Sequence, residues 1–196
     1  MKDPDPIAEG KFYQDYGNPL GAIMREIQET IDRRNYFIAL ISVLSLIDIC
    51  AALEARNGET NKFKFAKWFD ENLKDYSNPG SSPNQEAIRL TGEECYVFRS
   101  RLLHQGRSRI SKEGTNSNVK SGRLVFSIDQ ATIHRCNLEG NYFVDIPTFT
   151  KDVCDAVQNW RQHMETSADF KTNHAKLLRY GTEVPGSLGR RGHYLF

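Results

Sequence analysis

The sequence predicts a mainly α-helical protein that carries a small antiparallel β insert. Apolar residues recur every three or four positions through several long segments, which is the spacing of an amphipathic helix. Residues 36–53 are apolar on every side, as the buried central helix of a bundle is. Over residues 123–146 the pattern changes to short apolar runs separated by turns, which predicts two or three antiparallel strands.

Length and composition predict one domain over residues 1–196, with extended tails at 1–18 and 181–196. The chain is 39% hydrophobic and 26% charged, and these fractions exclude the composition of a disordered or fibrous protein. The polar, proline-rich start lacks the apolar run of a secretory signal. The four cysteines are widely spaced and form no C-x-x-C pair, so we expect reduced thiols in a cytoplasmic protein.

Six helices are predicted from the apolar spacing, from N-capping residues and from glycines at helix ends. Thr91 and Glu94 form a capping box at the start of the fourth helix, and Gly106 is placed to end it. The predicted ranges are 19–34, 36–53, 62–73, 91–105, a long helix from Thr148 or Thr150 to Met164, and 169–180.

Two interpretations compete for the apolar segment 36–53. A transmembrane helix needs about 20 apolar residues, whereas this run is interrupted at Asp48 after twelve. The buried core helix of a bundle is therefore favoured, and it predicts a protein with no membrane partner. Asp48 is then a carboxylate on a buried helix, where a charge is costly unless it is paired.

The strongest chemical signal is the segment Arg99–His104, at the predicted end of the fourth helix. Residues 99–123 hold seven basic side chains against one acid, a net charge of +6 in a chain whose total is +1. We therefore expect a phosphate-bearing partner here. Cleavage of RNA without a metal needs an acid and a base, which histidine can supply, and cationic donors to phosphate, which arginine supplies as a planar fork.

The spacing Arg99-x4-His104 on the last turns of a helix, flanked by Tyr96 and Gly106, resembles the Arg-x4-6-His motif of the HEPN superfamily. The segments Leu46–Cys50 and Lys67–Asp70 also resemble blocks of a group of bacterial proteins without an assigned activity. The resemblance implies a single HEPN-like helical bundle that forms a homodimer. It also implies a metal-independent endoribonuclease without a cofactor, whose site lies at the subunit interface.

By that resemblance Arg99 and His104 are the catalytic pair, and Ser100 and Arg101 assist them. RNA is the implied partner, and an inhibitor protein is a further candidate partner. The RNA-binding residues would come from the basic segment that follows the motif, namely Arg107, Arg109 and Lys112.

Helical geometry leaves alternatives open at this motif. Five residues rotate a regular helix by about 140°, so Arg99 and His104 share a face only if the helix loosens at Gln105–Gly106. Otherwise the site must be a composite of two subunits. A HEPN-like dimer that binds RNA, a nucleotide or a protein partner without catalysis is the alternative function.

His134 lies on a predicted strand and could approach the motif, but a hydrogen-bonded structural role is favoured. A zinc site using His134 and Cys136 is disfavoured, because the ligand spacing of a structural site is missing. No metal or cofactor is therefore expected. The sequence also lacks the P-loop, zinc-protease and serine-hydrolase motifs.

Overall fold

The computed structural model describes residues 18–77, 89–106, 109–110, 122–129, 133–138, 141–178, 180–183 and 191–195. Seven helices lie in these ranges: α1 (Pro19–Asp32), α2 (Tyr36–Glu54), α3 (Lys62–Asn72), α4 (Lys74–Ser77), α5 (Gly92–Gln105), α6 (Ile146–Met164) and α7 (Ala168–His174). Six strands accompany them: β1 (Arg109–Ile110), β2 (Gly122–Ser127), β3 (Cys136–Leu138), β4 (Asn141–Asp145), β5 (Tyr180–Glu183) and β6 (Arg191–Leu195). The prediction of a mainly helical protein is confirmed.

Helix α2 lies at the centre of the bundle and contacts α1, α3, α5, α6 and α7. Among the described residues α2 alone is long and apolar enough to cross a membrane, judged by length and composition, and 56% of its apolar window is buried inside the protein. A helix that is apolar on all sides needs cover on all sides, and here other helices supply it. This arrangement is consistent with the predicted core helix of a soluble protein.

The helix that carries the predicted motif is fixed at both ends by local signals. The Thr91 hydroxyl accepts from the Glu94 backbone N–H, and the Glu94 carboxylate accepts from the Thr91 backbone N–H at 2.9 Å, which completes a capping box. Gly106 ends α5 in the left-handed conformation, with φ of 63°. The predicted limits of this helix are confirmed.

The remaining helix ends differ from the prediction by a few residues. Helix α1 is capped by Asn18 as expected, since its side chain accepts from the Gly21 N–H at 3.1 Å. Helix α6 begins two residues before Thr148, because the Asp145 carboxylate caps it from the end of β4. Helix α7 ends at His174 rather than near residue 180. Helix α4 was not predicted, because four residues are too few for a periodic pattern.

The predicted antiparallel insert over residues 123–146 is wrong in its pairing. The sheet has the strand order β1-β2-β4-β3, in which β2 and β4 run parallel while β3 pairs with β4 antiparallel. The expected strand over residues 132–136 is replaced, in its described part, by a turn at residues 133–135 that leads into β3. Strand β4 therefore lies between β2 and β3 in the sheet. The alternation of apolar residues along a strand does not encode this order.

The predicted tails are also corrected in part. Within residues 181–196, strands β5 and β6 pair antiparallel as a two-stranded sheet. Of the N-terminal tail only Asn18 lies within the described residues, where it caps α1. Strand β1 forms within the basic segment that follows the motif, and it pairs with β2 so that Arg109 lies opposite Arg123.

Helices α3 and α5 approach so closely at Gly92 that no side chain fits there. A Cβ atom on Gly92 would lie 2.3 Å from the Ala66 carbonyl oxygen, which is backbone of α3 and cannot rotate away.

We expect Gly92→Ala to lower the free energy of unfolding by about 2 kcal/mol, the usual cost of overpacking, measured by urea denaturation. Gly106→Ala is the control, since nothing lies within 4 Å of its Cβ position and only the left-handed backbone costs about 1 kcal/mol. Equal losses would contradict the close contact.

Candidate active site

Arg99 is held by a carboxylate from the central helix. Its guanidinium Nη2 forms an ion pair with Asp48 Oδ2 across the contact between α5 and α2. The side chain of Asp48 is 10% exposed and that of Arg99 is 22% exposed, so the pair is largely desolvated while part of the arginine still reaches solvent. The residue at the start of the motif is therefore oriented by a second helix.

The ion pair is incompletely satisfied. Burial raises the pKa of Asp48 above its ordinary range, and the neighbouring Arg99 and a hydrogen bond from the Thr60 side chain oppose that rise. Arg99 Nε is buried and has no hydrogen-bond partner among the described residues. The pair thus carries a desolvation cost that its contacts offset only in part.

His104 stands in a different environment from Arg99. It is exposed on the last turn of α5, two residues before Gly106, where the helix dipole favours positive charge. Helix α5 stays regular through Gln105, so the loosening that would let Arg99 and His104 share a face does not occur. On a regular helix the two residues are offset by about 7.5 Å along the axis and by about 140° around it. Within one chain Arg99 therefore contacts Asp48, and the regular helix places His104 on a different face of α5.

The other predicted site residues that the structure describes lie on α5 or in the strand beside it. Ser100 and Arg101 are partly buried on α5. Arg109 lies in β1, which packs beside α5 and so brings one part of the basic segment close to the motif. Arg107 and Lys112 lie outside the described residues.

His134 lies in the turn before β3, and the predicted structural role fits its contacts. Its Nδ1 accepts from the backbone N–H of Asp145 at 3.0 Å. The neutral ring therefore carries its proton on Nε2, which lies 2.8 Å from the Tyr76 hydroxyl and 3.5 Å from the Asp152 carboxylate. The Tyr76 hydroxyl donates to Asp152 Oδ2 at 2.7 Å.

This Tyr76–His134–Asp152 network ties the β insert to α4 and α6. Burial acts to raise the pKa of Asp152, but hydrogen bonds from His134 and Tyr76 outweigh it and hold that pKa below its ordinary value. Burial and Asp152 together raise the pKa of Tyr76, so the phenol stays protonated. Arg135 covers the Tyr76 ring at 5.5 Å and donates to Asp75 at 2.9 Å.

No metal centre is assembled within the part of the chain that the structure describes. It contains no group of three or more histidine, cysteine, aspartate or glutamate side chains placed to hold an ion. His134 uses both ring nitrogens in the network, and the Cys136 thiol donates to the Ile133 carbonyl at 3.1 Å. The residues weighed for zinc thus have protein partners instead.

Comparison of the chain with models of protein families, with curated proteins and with solved structures gives no match.

The lowered pKa of Asp152 predicts a pH-dependent contribution to stability. An acid whose pKa is lower in the folded than in the unfolded protein stabilises the fold above its unfolded pKa, and that gain is lost as the pH falls through the folded pKa. We expect Asp152→Asn to cost about 1–3 kcal/mol near neutral pH, the value of hydrogen bonds to a charged group. The difference from wild type should shrink as the pH falls below about 4.

Urea denaturation at several pH values measures this difference. Asp155→Asn is the matched control on the same helix, because Asp155 is exposed and pairs with Lys151 at the surface. A pH-independent difference for Asp152→Asn, or an equal loss for both variants, would contradict the role of the network.

Proposed function

We propose that the chain is a metal-independent endoribonuclease of the HEPN type, whose active site is completed by a second copy. One observation carries the proposal: a carboxylate-held arginine and an exposed histidine lie on the last turns of one helix, beside a basic segment. Arginine binds phosphate oxygens, and histidine transfers protons near neutral pH. These are the groups that cleavage of RNA by its own 2′-hydroxyl requires.

In this mechanism His104 takes the proton of the 2′-hydroxyl as that oxygen attacks phosphorus, or returns a proton to the departing 5′-oxygen. Arg99 donates to the non-bridging phosphate oxygens, where negative charge grows in the transition state. Ser100 and Arg101 add donors beside Arg99, and the basic segment binds the RNA backbone. The fragments would end in a 2′,3′-cyclic phosphate and a 5′-hydroxyl.

The geometry of α5 supports a composite site. Arg99 pairs with Asp48 on α2, whereas His104 is exposed, and a regular helix sets the two residues about 140° apart around its axis. A two-fold axis beside the helix end would bring the arginine of one copy to the histidine of the other. The homodimer is therefore part of the proposal.

Cleavage of single-stranded RNA in EDTA tests the activity. We expect wild type to cleave and both Arg99→Ala and His104→Ala to lose at least about 100-fold in rate, because each removes one of the groups that act on the transition state. His163→Ala is the matched control, since His163 is also an exposed histidine near a helix end but lies on α6. Cleavage that persists without His104, or that EDTA abolishes, would refute the mechanism.

Mixing the two inactive variants tests the composite site. A heterodimer of Arg99→Ala and His104→Ala chains retains one arginine and one histidine of the wild-type pair, so its activity should exceed that of either parent after the subunits exchange. Size-exclusion chromatography with light scattering reports the dimer. Rescue is not expected if each site lies within one chain, and a monomer in solution would exclude the composite site.

A second candidate function is a HEPN-like dimer that binds RNA, a nucleotide or a protein partner without cleaving RNA. The Asp48–Arg99 ion pair favours it, because that contact already neutralises the arginine. This function predicts RNA binding that weakens steeply with salt and RNA that stays intact through long incubation. Fluorescence anisotropy between 50 and 200 mM salt, read beside the cleavage assay, separates the two candidates.

A further inference from the structure

Asp48 is an unusual residue for its place in the fold. It is the single charged side chain between Tyr36 and Leu53, the apolar stretch that forms the centre of the bundle. The residue is 8% exposed, and burial raises the pKa of its carboxyl. A carboxylate in such surroundings is costly unless another group compensates its charge.

Stability alone does not account for the pair that Asp48 forms with Arg99. Buried ion pairs are often replaced by apolar residues without loss of stability, because the Coulomb attraction barely offsets desolvation. Among the described residues, the present pair leaves Arg99 Nε without a hydrogen bond. What the contact does provide is orientation: it joins one edge of the guanidinium to α2 and leaves part of the side chain exposed.

We propose that Asp48 is a positioning residue for Arg99, holding the guanidinium so that the donors not used on Asp48 meet the phosphate of the RNA. Asp48 itself does not touch the substrate. This inference rests on the proposed ribonuclease function and deepens it. Arginine offers five N–H donors in a rigid fork, so anchoring one edge aligns the donors on the other. A group aligned before the substrate binds loses less freedom in the transition state.

The positioning role predicts opposite effects on binding and on catalysis. In Asp48→Asn the arginine keeps its charge and loses its counter-charge, so RNA should bind as tightly as to wild type or more tightly. The slope of log affinity against log salt should then steepen by up to about 0.7, the value of one added phosphate contact on single-stranded RNA. The turnover number should fall about 10- to 100-fold, because the guanidinium is no longer aligned.

The experiment compares kcat and KM for RNA cleavage by wild type, Asp48→Asn and Asp48→Glu. We expect kcat to fall in Asp48→Asn while KM stays equal or falls, and Asp48→Glu to recover part of kcat by restoring the negative charge. Asp70→Asn is the matched control. Asp70 also has a raised pKa and also contacts α5, but its carboxylate accepts from the Gly92 N–H at 2.8 Å, at the other end of the helix.

The outcomes separate the inference from the function on which it rests. Wild-type kcat in Asp48→Asn, or equal losses of kcat in Asp48→Asn and Asp70→Asn, overturns the positioning role and leaves the ribonuclease intact. A wild-type protein that does not cleave RNA overturns both. Circular dichroism establishes that each variant is folded. If Asp48→Asn does not fold, Asp48→Glu decides, since unchanged kcat after the carboxylate has moved by one methylene would overturn the role.

Discussion

The burial of α2 is the constraint on which the rest of the structure depends. A nineteen-residue helix that is apolar on all sides cannot leave a face in water, and five other helices cover it. Each of those helices needs only one apolar face, which is why their sequences show helical periodicity and that of α2 does not. The cover is least complete at the start of α2, where Phe37 and Ile38 are exposed.

A carboxylate on such a buried helix needs a compensating cation from a neighbouring element. Asp48 lies where α5 crosses α2, and the cation that compensates it is Arg99 of α5. The position of α5 is set independently by Gly92 against α3 and by the capping box at Thr91. The direction of Arg99 thus follows from contacts that involve no ligand.

Features encoded by a few neighbouring residues could be predicted from the sequence. The cap at Asn18, the capping box of α5 and the left-handed Gly106 each depend on residues within one helical turn. The parallel pairing of β2 with β4 and the Tyr76–His134–Asp152 network depend on the path of the chain between distant segments. Tyr76 and His134 lie 58 positions apart, so neither signals the other locally. Of the candidate site, the sequence singled out Arg99 and His104, but the orientation of Arg99 by Asp48 was not predicted.

The two residues of the motif have opposite surroundings, and the proposed chemistry makes opposite demands on them. An arginine that binds a phosphate acts best when it is already fixed, and Asp48 fixes Arg99 in a largely buried place. A histidine that exchanges protons must be reached by substrate and solvent, and His104 is exposed at a helix end. A spacing of five residues places the arginine and the histidine in these different environments on one helix, and it also sets the two residues about 140° apart around the helix axis. In the proposed homodimer a second copy of the chain would overcome this separation, since it would present its own histidine to the fixed arginine.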